Sequence, residues 1–242
     1  MKYVAKGGQP RELSDWIRQN KALDLHHDFN GGGFPRESVK SALLRKQGWL
    51  CGYTMLALAG GSNCHIEHVH PQAVYPKLAT DFDNMLVCIP TNGGDITCGY
   101  GAPLKGGKDV NETNFVSPFH KTCESRFCFL KSGVIESRNP SDKAAAETID
   151  LLNLNHTDLK EMRGRALAAE GFTDRPSAPY GRRQNRPSSS QAQILARTVL
   201  RADKQGKFRE FCVAIAQVAT EYAEKRDKRA QRLRAQRPPA DA

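Results

Sequence analysis

The sequence has no hydrophobic run approaching the ~20 residues that a transmembrane helix needs, and residues 1–8 contain no apolar signal-peptide region. Internal repeats are also absent. The glycine-rich nucleotide-binding strings Gly-x-Gly-x-x-Gly and Gly-x-x-x-x-Gly-Lys-Ser/Thr do not occur, which argues against ATP binding through such loops. These absences exclude membrane-spanning, secreted-scaffold and fibrous classes, and we expect a cytoplasmic protein.

The cysteines do not suggest a disulfide framework. There are seven, an odd number, and all except Cys212 fall between residues 49 and 139, a stretch rich in Gly and His. In a chain without a secretion signal, such cysteines are reduced thiols or metal ligands rather than disulfide partners.

The charge balance indicates an anionic partner. The chain has 36 Lys and Arg residues against 26 Asp and Glu residues, a formal net charge of +10. An excess of this size favours nucleic acid first and a membrane surface second. Residues 225–237 concentrate Lys and Arg, which predicts a solvated helix end, with nucleic-acid or partner contact as the alternative.

Hydrophobic spacing predicts an α+β fold of one mostly helical domain. We expect helices over Arg11–Asn20 and residues 35–47, 142–152 and 208–222, a helix capped by Thr157, and a β-hairpin over residues 127–135. The predicted organisation is an N-terminal segment 1–34, a central domain 35–172, a Pro- and Arg-rich linker 173–190, and a C-terminal helix with a basic tail, 191–242.

The densest chemistry lies in residues 64–71, Cys-His-Ile-Glu-His-Val-His-Pro. A strand there would place Glu67 and His68 on opposite faces and would end at the Pro71 turn. A solvated strand with incidental histidines is the alternative interpretation. Farther on, the sequence Asp-Phe-Asp-Asn ends at Asn84 and runs into an apolar stretch.

This arrangement resembles the HNH endonuclease motif of the ββα-metal fold, in which an acid–His pair is followed by Pro and then by an Asn. Matching strings flank it on both sides, at residues 51–54, 83–86, 98–99, 115–118, 123–124, 133–135, 152–155 and 159–163. Their order resembles the PtuB-like HNH proteins of Septu and retron anti-phage defence systems. The resemblance implies a small ββα-metal core embedded in helices.

The resemblance also implies residue roles. His68 matches the general base that takes a proton from the attacking water, Glu67 matches the carboxylate ligand of one Mg²⁺ or Mn²⁺ ion, and Asn84 matches the residue that ties down the loop and orients the base. The third metal-facing position is assigned to Asn92 by spacing, although Asn-Gly is also a turn signal. His65, His70 and Asn111 stay open as alternatives at that position.

Zinc is the less favoured expectation. The common pattern in the family that the chain resembles brackets the motif with two Cys-x-x-Cys pairs. Here each pair keeps its first cysteine, Cys51 or Cys88, and has a threonine, Thr54 or Thr91, in place of the second. Two thiolates do not complete a tetrahedral structural site, and the sequence does not show whether Cys64 or Cys98 completes another.

The resulting hypothesis is a metal-dependent HNH nuclease that hydrolyses phosphodiester bonds, with DNA as the first substrate. Lys105 and Lys108, beside Gly106 and Gly107, are the candidate phosphate-binding residues of a flexible basic loop. The resemblance implies a PtuA-like ABC/SMC-type ATPase as partner and, in retron relatives, a reverse transcriptase with its RNA–DNA product. The alternatives are a tRNA- or RNA-cleaving effector and a catalytically degenerate nucleic-acid-binding module.

Overall fold

A computed structural model describes residues 1–21, 27–30, 33–173 and 186–236, so most of the predicted linker 173–190 lies outside the described residues. The fold is α+β. The described α-helices are α1 (Arg11–Asn20), α2 (Arg36–Lys46), α3 (Ala102–Lys105), α4 (Lys143–Leu151), α5 (Thr157–Ala169), α6 (Ser189–Thr198) and α7 (Cys212–Ala235). The strands β1 (His65–His68) and β2 (Met85–Cys88) form one antiparallel sheet, and β3 (Phe127–Phe129) and β4 (Ile135–Ser137) form another.

The β1–β2 pair confirms the strand predicted around the histidine cluster. Glu67 pairs with Leu86 and His68 with Met85. All four residues of β2 are buried, and α2 packs on this strand through its buried apolar side chains. The Gln47 amide joins the end of α2 to β2, since it accepts from Val87 N at 2.7 Å and donates to Val87 O at 2.9 Å.

After β2 the chain differs from the helix that the resemblance implies. Residues 89–101 form turns and one short 3-10 helix, Ile96–Cys98, and only the single turn of α3 follows. Pro90, Gly93 and Gly94 explain this, because proline and glycine disfavour a helix interior. The antiparallel pair β1–β2 is thus followed by turns and by the single helical turn of α3.

In the second half of the chain, the observed secondary structure agrees more closely with the elements predicted from the sequence. The β3–β4 hairpin is confirmed, and Asp142 caps α4 by accepting from Ala145 N at 3.0 Å. The predicted Thr157 cap is wrong: His156 is the N-cap of α5 and its Nδ1 accepts from Asp158 N at 3.3 Å.

The C-terminal helix begins later than predicted. Phe208 and Phe211 have helical spacing but precede α7, because Phe211 adopts a φ of 54° outside the right-handed region. Phe208 N instead donates to Gly48 O at 2.9 Å. A Cβ on Gly48 would lie 2.1 Å from the Phe208 ring, so this contact requires glycine.

α7 has two different halves. Its first turns are buried and pack on α5, α6 and β3, whereas residues 228–233 are exposed. Among the described residues, no helix is long and apolar enough to cross a membrane.

Candidate functional site

His68 is held rigidly and is almost fully buried, with 6% exposure. Its Nε2 lies 2.8 Å from Ala79 O, and its Nδ1 lies 3.0 Å from the Gln72 amide nitrogen. Because a carbonyl only accepts, Nε2 carries the proton and Nδ1 accepts from Gln72. The Phe29 ring packs edge-on at 4.7 Å.

Burial lowers the pKa of His68, outweighing the opposing effects of the Ala79 hydrogen bond and the Glu67 charge. The imidazole is therefore neutral near pH 7, which is the form that a general base needs.

Asn84 fixes the loop that holds His68. The side chain is buried, its Oδ1 accepts from His70 N at 2.8 Å, and its Nδ2 donates to His70 O at 3.0 Å and Leu78 O at 3.1 Å. Leu78 immediately precedes Ala79, whose carbonyl binds the base. The structural role that the resemblance implies for Asn84, tying down the loop that orients the base, therefore agrees with these contacts.

Glu67 lies in a cluster of donors and cations. Its Oε1 is 2.9 Å from Lys105 Nζ and 3.5 Å from the Tyr53 hydroxyl, and its Oε2 is 3.6 Å from His65 Nε2. The Glu67 side chain is only 13% exposed, so water screens these charges weakly.

Lys105 differs from its expected placement on a flexible exposed loop. It ends α3, its side chain is 1% exposed, and its ammonium group donates to Gly106 O at 3.2 Å besides pairing with Glu67. Lys105 can be buried because its ammonium group is paired with the nearby Glu67 carboxylate, which compensates for the lost hydration. Lys108 is exposed, as the phosphate-binding prediction requires.

Asn92 lies in an exposed turn, where its Oδ1 accepts from Gly94 N at 3.1 Å. This contact is the turn-forming alternative that the Asn-Gly sequence predicted. His65 is nearer to the carboxylate: its Nδ1 donates to Pro90 O at 2.6 Å, and its Nε2 makes no hydrogen bond. Burial lowers the pKa of His65, but Glu67 and Pro90 raise it by more, so the pKa lies above the ordinary value for histidine.

The other two alternatives line a cleft of about 300 Å³ that Glu67 does not line. His70 and Asn111 both border it, with Lys6, Phe119 and His120 among the other lining side chains. A smaller cavity of about 220 Å³ shares His70 and Lys6 and is also bordered by Asn84.

Cys51, Cys88 and Thr54, three of the four positions that match the zinc-stapled pattern, lie in contact with one another. Burial raises the pKa of Cys51, but hydrogen bonds from Cys88 and Thr54 lower it by more, and the resulting pKa is about 6. Thr91 points elsewhere, since its hydroxyl donates to Ser62 O at 2.8 Å. The zinc alternative stays a prediction.

The geometry identifies contributors that the sequence did not reveal. Gln72 covers the free ring nitrogen of His68, and Tyr53 contacts Glu67. Tyr53 lies within a string quoted for the resemblance, but its contact with Glu67 spans separate elements and has no local signal.

No protein-family model matches the chain, and no curated protein matches it.

Glu67 is the carboxylate that the resemblance assigns to a divalent ion. A carboxylate oxygen is a suitable ligand for Mg²⁺ or Mn²⁺. However, Glu67 Oε1 is paired with the Lys105 ammonium, and Asn92 is engaged in its own turn. As arranged, these residues do not fit a divalent ion at this carboxylate.

Proposed function

We propose that the protein is an HNH-type nuclease that hydrolyses phosphodiester bonds, with DNA as its first substrate. One observation carries the proposal: His68 is fixed through Nε2 on Ala79 O, while Nδ1 is left as the ring nitrogen able to accept a proton. An oriented, neutral imidazole beside a carboxylate suits the deprotonation of a water molecule.

The mechanism begins with exchange of the Gln72 amide for a water molecule at Nδ1. His68 takes a proton from this water as its oxygen attacks phosphorus, and the phosphorus–oxygen bond of the leaving group breaks. The leaving oxygen takes up a proton from solvent water, and His68 later releases its own proton to solvent. The imidazolium formed is stabilised by the Ala79 carbonyl and the neighbouring Glu67 charge, both of which favour protonated His68. Asn84 keeps the Ala79 carbonyl in place during this charge change.

The test is a cleavage assay with plasmid DNA and total tRNA, with Mg²⁺, Mn²⁺ or EDTA. Wild type is compared with His68→Ala, and His156→Asn serves as control because it replaces a histidine on α5 and keeps a capping acceptor. We expect cutting by wild type and the control, and a loss of about 10²-fold or more for His68→Ala. Undiminished cutting by His68→Ala would make the base assignment wrong.

A non-hydrolytic nucleic-acid-binding module is the second candidate. It is favoured by the Lys105–Glu67 ion pair and by the turn that engages Asn92. Such a module would bind nucleic acid with a steep salt dependence but would not cut it under any condition of the assay.

We also propose an ATPase partner of the ABC/SMC type, on the resemblance alone. Its test repeats the cleavage assay with an ABC/SMC-type ATPase added. Cutting that requires the ATPase and still disappears with His68→Ala would support a partner-held nuclease.

A further inference from the structure

Lys105 is a buried cation whose closest acidic partner is Glu67. Its side chain is 1% exposed, and its Nζ lies 2.9 Å from Glu67 Oε1. An unpaired ammonium or carboxylate in such surroundings is strongly destabilising, so each group depends on the other. The pair also joins β1 to α3, two elements that are otherwise separated by 33 residues of loops and β2.

Two further side chains lie close to the carboxylate. Tyr53 OH faces Oε1 at 3.5 Å, and His65 Nε2 faces Oε2 at 3.6 Å. The His65 ring is held from behind by Pro90 O, and a Cβ on Gly93 would lie 2.8 Å from the ring. The cluster thus provides Glu67 with positive charge and hydrogen bonds without any bound ion.

A divalent ion and an ammonium group on one carboxylate repel each other, so each lowers the affinity of the carboxylate for the other. Mg²⁺ and Mn²⁺ also prefer oxygen ligands, and Lys105 has only N–H donors to offer. An ion that binds Glu67 therefore competes with the Lys105 ammonium for the negative charge of this carboxylate.

We propose that Lys105 is the resident cation of Glu67, and that a divalent ion binds this carboxylate only in competition with the Lys105 ammonium. The inference rests on the proposed function only for the identity of the competing ion. It implies that the free protein binds Mn²⁺ weakly at Glu67 and that removal of the lysine charge strengthens binding there.

The experiment measures Mn²⁺ affinity of the full chain by electron paramagnetic resonance of the free ion. The variants are Lys105→Met, Lys105→Arg and the double variant Lys105→Met/Glu67→Gln. Lys108→Met is the matched control, since it removes one lysine charge from an exposed position three residues away.

We expect Lys105→Met to bind Mn²⁺ at least about tenfold more tightly than wild type, as removal of a contacting cation should allow. Lys105→Arg keeps a cation and should bind within about twofold of wild type, as should Lys108→Met. The double variant should lose the whole gain, because the ligand itself is gone.

Equal Mn²⁺ affinity in wild type and folded Lys105→Met would overturn the proposal, as would a gain that survives in the double variant. If Lys105→Met does not fold, Lys105→Gln replaces it, since its amide keeps an N–H donor for Glu67. The cleavage assay is separate: a lack of cutting would count against the nuclease, whereas unchanged Mn²⁺ affinity counts against the lysine competition alone.

Discussion

At the scale of single residues, the site depends on backbone carbonyls as much as on side chains. His68 is oriented by Ala79 O, and Asn84 positions the segment that carries this carbonyl. The side chains at Glu67, His68 and Asn84 could be selected from the sequence, since an acid–His pair and a later Asn form a spaced motif. Gln72 could not, because its contact with His68 depends on how the loop between the strands folds.

Asn84→Ala should destabilise the protein by about 3 kcal/mol, because it removes a buried side chain that is the partner of His70 N, His70 O and Leu78 O. Urea unfolding measures this cost. Asn92→Ala is the control, since that asparagine is exposed and should cost less than about 1 kcal/mol. Similar costs for the two variants would contradict the role given to Asn84.

His68 should make the protein less stable as the pH falls below about 6.5, the ordinary pKa of histidine. Its folded pKa is lowered, mainly by burial, so the unfolded chain gains a proton before the folded chain does. His65 acts in the opposite sense, because its folded pKa is raised and its contribution is lost as the pH increases through that pKa.

The measurement is urea unfolding at pH 7.5 and pH 5.5 for wild type and His68→Gln. Wild type should lose more stability between these two values than the variant, which lacks the titrating ring. An equal loss in the two proteins would refute the assigned shift.

At the scale of elements, periodicity predicted α1, α2, α4, α5 and the β3–β4 hairpin, because each of them buries a face defined by nearby residues. It failed at the start of α7, where the apolar stripe continues through Phe208 and Phe211 although the backbone turns at Phe211. It also failed at α3, where a lysine beside two glycines indicated a loop. Burial of Lys105 depends on β1, which no local pattern reveals.

Gly133→Ala should destabilise the β3–β4 hairpin by more than about 2 kcal/mol. Gly133 has a φ of 87°, and a Cβ there would lie 2.0 Å from Lys160 O on α5. Thermal unfolding of this variant is compared with that of Gly107→Ala, whose added Cβ meets nothing within 4 Å. The Gly107→Ala variant should unfold at nearly the same temperature as wild type. A small effect of Gly133→Ala would mean that the hairpin and α5 can move apart at little cost in free energy.

At the scale of the whole molecule, the net charge of +10 should make nucleic-acid binding strongly dependent on salt. The exposed end of α7 supplies part of this charge through Arg229 and Arg232. Replacement of both by Gln should weaken the binding of nucleic acids of different sequence to a similar extent. It should also make the slope of log binding constant against log salt concentration shallower by about one to two.

Arg11→Gln/Arg18→Gln is the matched control for charge, since both arginines pair with Asp15 on α1. Fluorescence anisotropy at several salt concentrations gives both slopes. If the two double variants change the slope equally, the exposed end of α7 has no special part in binding.

The division of α7 into a packed half and an exposed half also governs how the protein should respond to a protease. A hydrogen bond from Gln193 to Asp227, at 3.1 Å, joins α6 to α7 near the end of the packed half. Beyond it, turns rich in Lys and Arg have little to hold them against fraying. Brief trypsin treatment should therefore trim the chain back to the neighbourhood of Lys228, leaving a shorter, less basic protein with its interior intact.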